Sequence, residues 1–212
     1  MLSAEKKAFI AFMADAGVLR FGKFVTKSGR DTPYFINTGN YKTGKQMAAL
    51  GKFYAGLVKE TLGDSFTAMF GPAYKGIPLA VACAAALAEH HQIDKPFFFN
   101  RKEEKDHGEG GSIIGYTPVP GDRIILIEDV ITAGTAVREV MPLLKSFGDV
   151  QVTDMFISVD RMERGKRERT AVEEARLELG IEVLPIITVR DILTHVDDAE
   201  KEAIKKYMTK YC

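Results

Sequence analysis

Arg123-Ile124-Ile125-Leu126-Ile127-Glu128-Asp129-Val130-Ile131-Thr132-Ala133-Gly134-Thr135-Ala136 is the stretch on which the fold turns. Its first half holds consecutive apolar residues without period-two alternation, the pattern of a strand covered on both faces by helices. Its second half is a turn of small and hydroxylated residues leading into a helix over 135–147. The alternation continues outward in both directions. Strands are predicted at 67–70, 96–99, 123–129, 152–159 and 182–188, with helices at 43–62, 76–90, near 168–179 and at 197–209. Strands alternating with helices imply right-handed crossovers, hence an α/β fold with a doubly wound, mainly parallel sheet flanked by helices. Ligands of such sheets collect beyond the carboxyl ends of the strands, where helix N-termini point.

Toward the N-terminus the pattern changes. Ser3 precedes a capped amphipathic helix carrying Phe9, Phe12 and Met13, with Gly17 as its stop. Residues 18–38 then break into short β-like pieces, the outline of a small hood. With 212 residues the chain suits one domain, a hood over about 1–40 with C-terminal contributions and a core over about 41–190. Lys plus Arg equals Asp plus Glu at 29 each, so no global field would hold nucleic acid or an anionic membrane. Cys83 and Cys212 form no CxxC pair, and Cys83 sits in an apolar helical pattern that points to burial. The N-terminus lacks a signal-peptide pattern and no run approaches a membrane span, which makes the cytoplasm the expected location.

Three junctions carry chemistry. After the 123–129 strand, paired acids precede a turn whose free N–H groups and hydroxyls suit a phosphate monoester, the acids being placed to accept ribose hydroxyls. The plainer alternative is a Thr-capped turn with solvated acids. After 67–70 comes Gly71-Pro72-Ala73-Tyr74-Lys75-Gly76, a tight turn whose Lys suits pyrophosphate or is simply exposed. After 96–99 comes a segment with Arg101, Lys102 and Lys105 against Glu103, Glu104, Asp106 and Glu109. By charge alone that segment is a solvated mobile loop.

Taken in order, these motifs resemble type I phosphoribosyltransferases. The apolar strand, two acids and T-x-G-T turn look like the family's signature for 5-phosphoribosyl-1-pyrophosphate (PRPP), with Glu128 where some members have Asp. The resemblance implies PRPP contacts from Glu128, Asp129, Val130, Ile131, Thr132, Ala133, Gly134, Thr135 and Ala136, and from Tyr74 and Lys75 of the pyrophosphate loop.

Three further segments resemble the orotate phosphoribosyltransferases of that family. RKEEKDHGEGG at 101–111 looks like their catalytic loop, implying PRPP contacts from Arg101, Lys102, Lys105 and His107 and a homodimer in which the loop serves the neighbouring subunit. KSGRDTPYFIN at 27–37 looks like their hood stretch, implying that Lys27 meets PRPP and that Phe35 and Ile36 meet orotate. DRMERG at 160–165 looks like their DRxERG, implying that Arg161 pairs with the orotate carboxylate, with Thr132 also near the base.

The implied reaction transfers ribose 5-phosphate from PRPP to N1 of orotate, giving orotidine 5'-monophosphate and pyrophosphate on the route to UMP. Lys27, Lys105, His107 and Asp129 would be its catalytic groups. Mg2+ is the implied cofactor, held by PRPP and water without direct protein ligands. A purine phosphoribosyltransferase would need the 128–136 segment but neither the 27–37 nor the 160–165 motif. A PRPP-sensing regulator would keep the cradle and add a basic surface, which this neutral chain lacks.

Overall fold

A computed structural model describes residues 2–26, 29–102, 112–131, 134–165 and 168–212, with only the backbone described for Thr135 and Ala136. Lys27, Lys105, His107, Thr132 and Ala133 therefore lie outside the described residues.

Helix α1 (Ala4–Asp15) begins where the Ser3 side chain accepts the Lys6 N–H and ends ahead of Gly17, whose positive φ favours glycine. Strands β1 (Leu19–Val25) and β2 (Asp31–Ile36) form an antiparallel ribbon over the stretch expected to be the hood. Helix α2 (Gly44–Leu62) starts with a capping box between Thr43 and Gln46. There follow β3 (Ala68–Gly71), α3 (Gly76–His91), β4 (Phe97–Asn100), β5 (Ile113–Gly115), β6 (Arg123–Ile127), α4 (Thr135–Lys145) and β7 (Gln151–Asp160). The chain finishes with α5 (Ala171–Leu179), β8 (Glu182–Thr188), α6 (Val189–Leu193) and α7 (Asp198–Tyr211). Among the described residues no helix is long and apolar enough to cross a membrane.

The second sheet has the order β5-β4-β3-β6-β7-β8, parallel except for the β4–β5 pair. From β3 the chain steps outward to β4 and later returns to β6 on the other side. The strand order thus reverses between β3 and β6, whose carboxyl ends flank a crevice. On β6, Ile125 and Ile127 join the cluster under α1, α2 and α3, while Ile124 and Leu126 join the cluster under α4 and α5. Burial on both faces is the physical reason its sequence shows no alternation.

Three local features differ from the sequence-based expectation. Strand β6 stops at Ile127 rather than 129, although the Glu128 N–H still donates to the Phe156 carbonyl. Strand β5 was not anticipated; it is three residues long, and its Gly115 allows an approach in which a Cβ would lie 2.5 Å from the Phe97 carbonyl oxygen. Helix α6 was likewise missed, being a short turn capped by Thr188 and Asp191. The C-terminal helix packs its Ile204 and Tyr207 inward beside β2.

Candidate active site

Tight backbone passage shapes the turn after β3. A Cβ on Gly71 would lie 2.4 Å from the Gly76 carbonyl oxygen, and one on Gly76 would lie 2.8 Å from that of Ile127. The Ala73–Tyr74 peptide bond is cis. Asn100, at the end of β4, accepts the Ala73 N–H at 2.8 Å and so fastens the turn to the next strand. Tyr74 projects into solvent, and Lys75 reaches across the crevice.

Asp129 receives that lysine. Its Oδ2 accepts from Lys75 Nζ at 2.8 Å and from Thr38 Oγ1 at 2.6 Å, while Oδ1 accepts the Val130 N–H at 2.7 Å. Burial pushes this carboxyl up, but the hydrogen bonds from Lys75 and Thr38 and the lysine charge outweigh it and hold the pKa below its ordinary value. Glu128 differs: its Oε1 accepts the Asp129 N–H at 2.9 Å, and burial, with the neighbouring Asp129 charge, pushes its pKa up to about 8. Adjacent acids thus differ in kind, Asp129 held as the charged acceptor while burial favours the protonated form of Glu128.

The divergence has a consequence for stability. A raised folded-state pKa means that the folded protein binds more protons than the unfolded chain between the ordinary value of 4.5 and about 8. Stability from this group therefore falls as pH rises through that window. Glu128→Gln, uncharged and nearly isosteric, is expected to flatten the fall and to raise Tm at pH 8 by roughly 2–6 °C, read by thermal unfolding across pH.

The backbone of the acid pair is held from two sides. Tyr54 of α2 donates its hydroxyl to the Glu128 carbonyl at 2.7 Å, and the Ser158 N–H of β7 donates to the Asp129 carbonyl at 2.9 Å. Thr38, Tyr54, Lys75, Asp129 and Ser158 help to line a cavity of about 170 Å³. Beyond Val130 and buried Ile131, α4 has Gly134 as its N-cap at φ 66°, so no cap side chain covers the first-turn amides. Lys102 sits beside the β3 turn, its ammonium 5.3 Å from the Tyr74 ring centroid, while the Arg101 N–H extends the β4–β5 pairing by donating to the Ser112 carbonyl at 2.8 Å.

A second cluster forms beyond β7. Arg161 Nη2 lies 2.6 Å from Glu163 Oε1, and the guanidinium carbon sits 5.2 Å from the Tyr34 ring centroid. Phe35 is partly exposed and stacks on Phe24 at 5.5 Å, whereas the Ile36 side chain packs against the core. Sequence reasoning missed Thr38, Tyr54, Asn100, Ser158, Glu163 and Tyr207. Among these Glu163 carried a signal as part of the DRMERG motif, and Tyr207 through its helical spacing with Ile204 and Tyr211.

Against known proteins, the Phosphoribosyl transferase domain family matches residues 37–177. The orotate phosphoribosyltransferase of Lachnoclostridium phytofermentans is 46% identical over 217 residues, covering 97% of this chain and 96% of the relative. That of Clostridium beijerinckii is 49% identical over 199 residues, covering 94% and 89%. The crystal structure of the Francisella tularensis orotate phosphoribosyltransferase superposes with a TM-score of 0.87 at 34% identity, covering 100% of this chain and 97% of that one. A Mycobacterium tuberculosis orotate phosphoribosyltransferase in complex with PRPP shares the fold, with a TM-score of 0.63 at 19% identity and 89% and 98% coverage.

Proposed function

The chain belongs to the orotate phosphoribosyltransferases of the phosphoribosyl transferase family, and from that premise we propose that it transfers ribose 5-phosphate from PRPP to N1 of orotate. The observation that carries the mechanism is the Lys75–Asp129 contact across the switch point, which joins the turn after β3 to the acid pair after β6. Ribose hydroxyls would replace Lys75 and Thr38 on Asp129 Oδ2, releasing the lysine toward pyrophosphate. Glu128, whose burial favours the protonated form, would offer the sugar a donor. The phosphate monoester would take the N–H groups of 132–136, the role for Thr132, Ala133, Gly134, Thr135 and Ala136 beside Val130 and Ile131.

As the C1–oxygen bond breaks, the electron pair leaves with pyrophosphate and positive charge builds on the sugar. N1 of orotate forms the new bond on the opposite face and its proton is released. Tyr74, Lys75, Arg101 and Lys102 are assigned to the leaving group, whose charge they would offset as it grows, together with Lys27, Lys105 and His107. The 101–111 segment would close over the neighbouring subunit of a homodimer and exclude water from the sugar cation. Arg161 would pair with the orotate carboxylate, with Phe35 and the Ile36 backbone against the ring.

Mg2+ is the cofactor that membership of the family implies, brought to the site with PRPP. Asp129, with both oxygens already in hydrogen bonds, suits an outer position. Mg2+ brought with PRPP would supply charge neutralisation at the leaving group, with Asp129 the residue placed to face it.

The test is formation of orotidine 5'-monophosphate from PRPP with orotate, uracil or hypoxanthine, each with Mg2+ and with excess chelator. Product from orotate with Mg2+ and none from the other bases is expected. Turnover of hypoxanthine in place of orotate would overturn the assignment, as would an absence of pyrophosphate release with every base.

A further inference from the structure

Glu163 and Tyr207 take no part in the reaction as described, yet they surround Arg161. Tyr207 projects from α7 and donates its hydroxyl to Glu163 Oε1 at 2.6 Å, the same oxygen that meets Arg161 Nη2 at 2.6 Å. The Tyr207 oxygen is also 3.5 Å from Arg161 Nη2, which closes a triangle of phenol, carboxylate and guanidinium. Burial, reinforced by the bond to Glu163, pushes the phenol up to about 12, so Tyr207 remains a donor at neutral pH.

The surroundings bear on both orientation and charge. The Tyr34 ring lies under the Arg161 guanidinium and meets the Tyr207 ring edge-on at 5.8 Å between centroids. Arg30 Nη1 lies 3.6 Å from Glu163 Oε2, so two guanidinium groups flank one carboxylate and the set retains a net positive charge toward an incoming carboxylate. Glu163 can therefore anchor Arg161 without cancelling the attraction the site needs. Tyr34 completes the cluster, its buried hydroxyl close enough to the Arg161 guanidinium for the two groups to interact.

We infer that Tyr207 of α7 and Glu163 are positioning residues for base recognition: together they fix the plane of the Arg161 guanidinium so that it presents two parallel donors to the orotate carboxylate. A bidentate pair demands that plane, and an arginine free to rotate would lose the ordering advantage. The C-terminal helix is thereby tied to base selection. The inference rests on the assignment of Arg161 to the orotate carboxylate.

Tyr207→Phe removes one hydroxyl and keeps the ring; Glu163→Gln keeps an acceptor oxygen and removes the charge. Steady-state kinetics with each substrate varied in turn, on wild type, both variants, Arg161→Ala and the Arg161→Ala/Tyr207→Phe pair, tests the proposal. The expected result is a rise in orotate KM of roughly three- to tenfold for each single variant, with PRPP KM and kcat little changed, and no added effect of Tyr207→Phe once Arg161 is gone. An unchanged orotate KM in Tyr207→Phe, while Arg161→Ala raises it, would overturn the positioning role alone. An unchanged orotate KM in Arg161→Ala would overturn the assignment beneath it as well. Both KM values changing together with a lowered Tm would mark a purely structural role and also reject the inference.

Discussion

Arg161→Ala is expected to raise the orotate KM roughly thirtyfold or more while leaving the PRPP KM near its wild-type value. Truncating one partner of a buried, hydrogen-bonded charge pair costs about 2–5 kcal/mol, and each 1.4 kcal/mol is about tenfold in affinity. Orotate differs from uracil by its carboxylate, so the variant should also lose much of its discrimination between the two bases. Arg161→Lys separates charge from shape: a lysine restores a positive point charge but not the planar fork, and rescue should be partial. The measurement is initial rate against base concentration at saturating PRPP. Equal losses for orotate and PRPP would contradict a role confined to the base.

Asp129→Asn should cut kcat/KM for PRPP by roughly a hundredfold with almost no loss of stability. The carboxylate is the charged acceptor offered to the ribose hydroxyls, and hydrogen bonds to a charged group contribute about 1.5–3 kcal/mol each. The stability side has a different balance. The Lys75 side chain is 61% exposed, so its pairing with Asp129 is heavily screened and contributes at most about 1 kcal/mol. Replacing a buried carboxylate by a neutral amide removes a desolvated charge, which offsets that loss. Activity falling while Tm holds is the signature of a group kept for function. A large drop in Tm with little change in kcat/KM would instead make Asp129 a structural residue.

The residues of this chain record its fold and its site unequally. The apolar run at 124–127 was enough for a doubly covered strand, because burial on both faces leaves its record directly in consecutive side chains. Gly71 and Gly76 flagged the turn after β3, because only glycine tolerates the backbone contacts found there. Short elements were less visible: β5 is three residues and α6 five, too brief for a periodic pattern to emerge. The end of β6 was overshot because Glu128 remains hydrogen-bonded to the neighbouring strand even where the regular strand has stopped.

The side-chain partners show the division most clearly. That Glu128 and Asp129 form an acid pair after a strand is written in the chain, but that one is pushed up to about 8 and the other held low is not. Their fates depend on Lys75, 54 positions away in sequence, and on Thr38, 91 positions away. The same holds for Arg161, whose partner Tyr207 lies 46 positions further on, in a helix whose sequence promised nothing beyond packing. Sequence alone determined the fold class and the strand-end motifs, since periodicity, turn chemistry and motif order act over short stretches. Only the tertiary structure decided charge states and orientations, because burial and hydrogen bonding across the crevice come into being when distant segments meet.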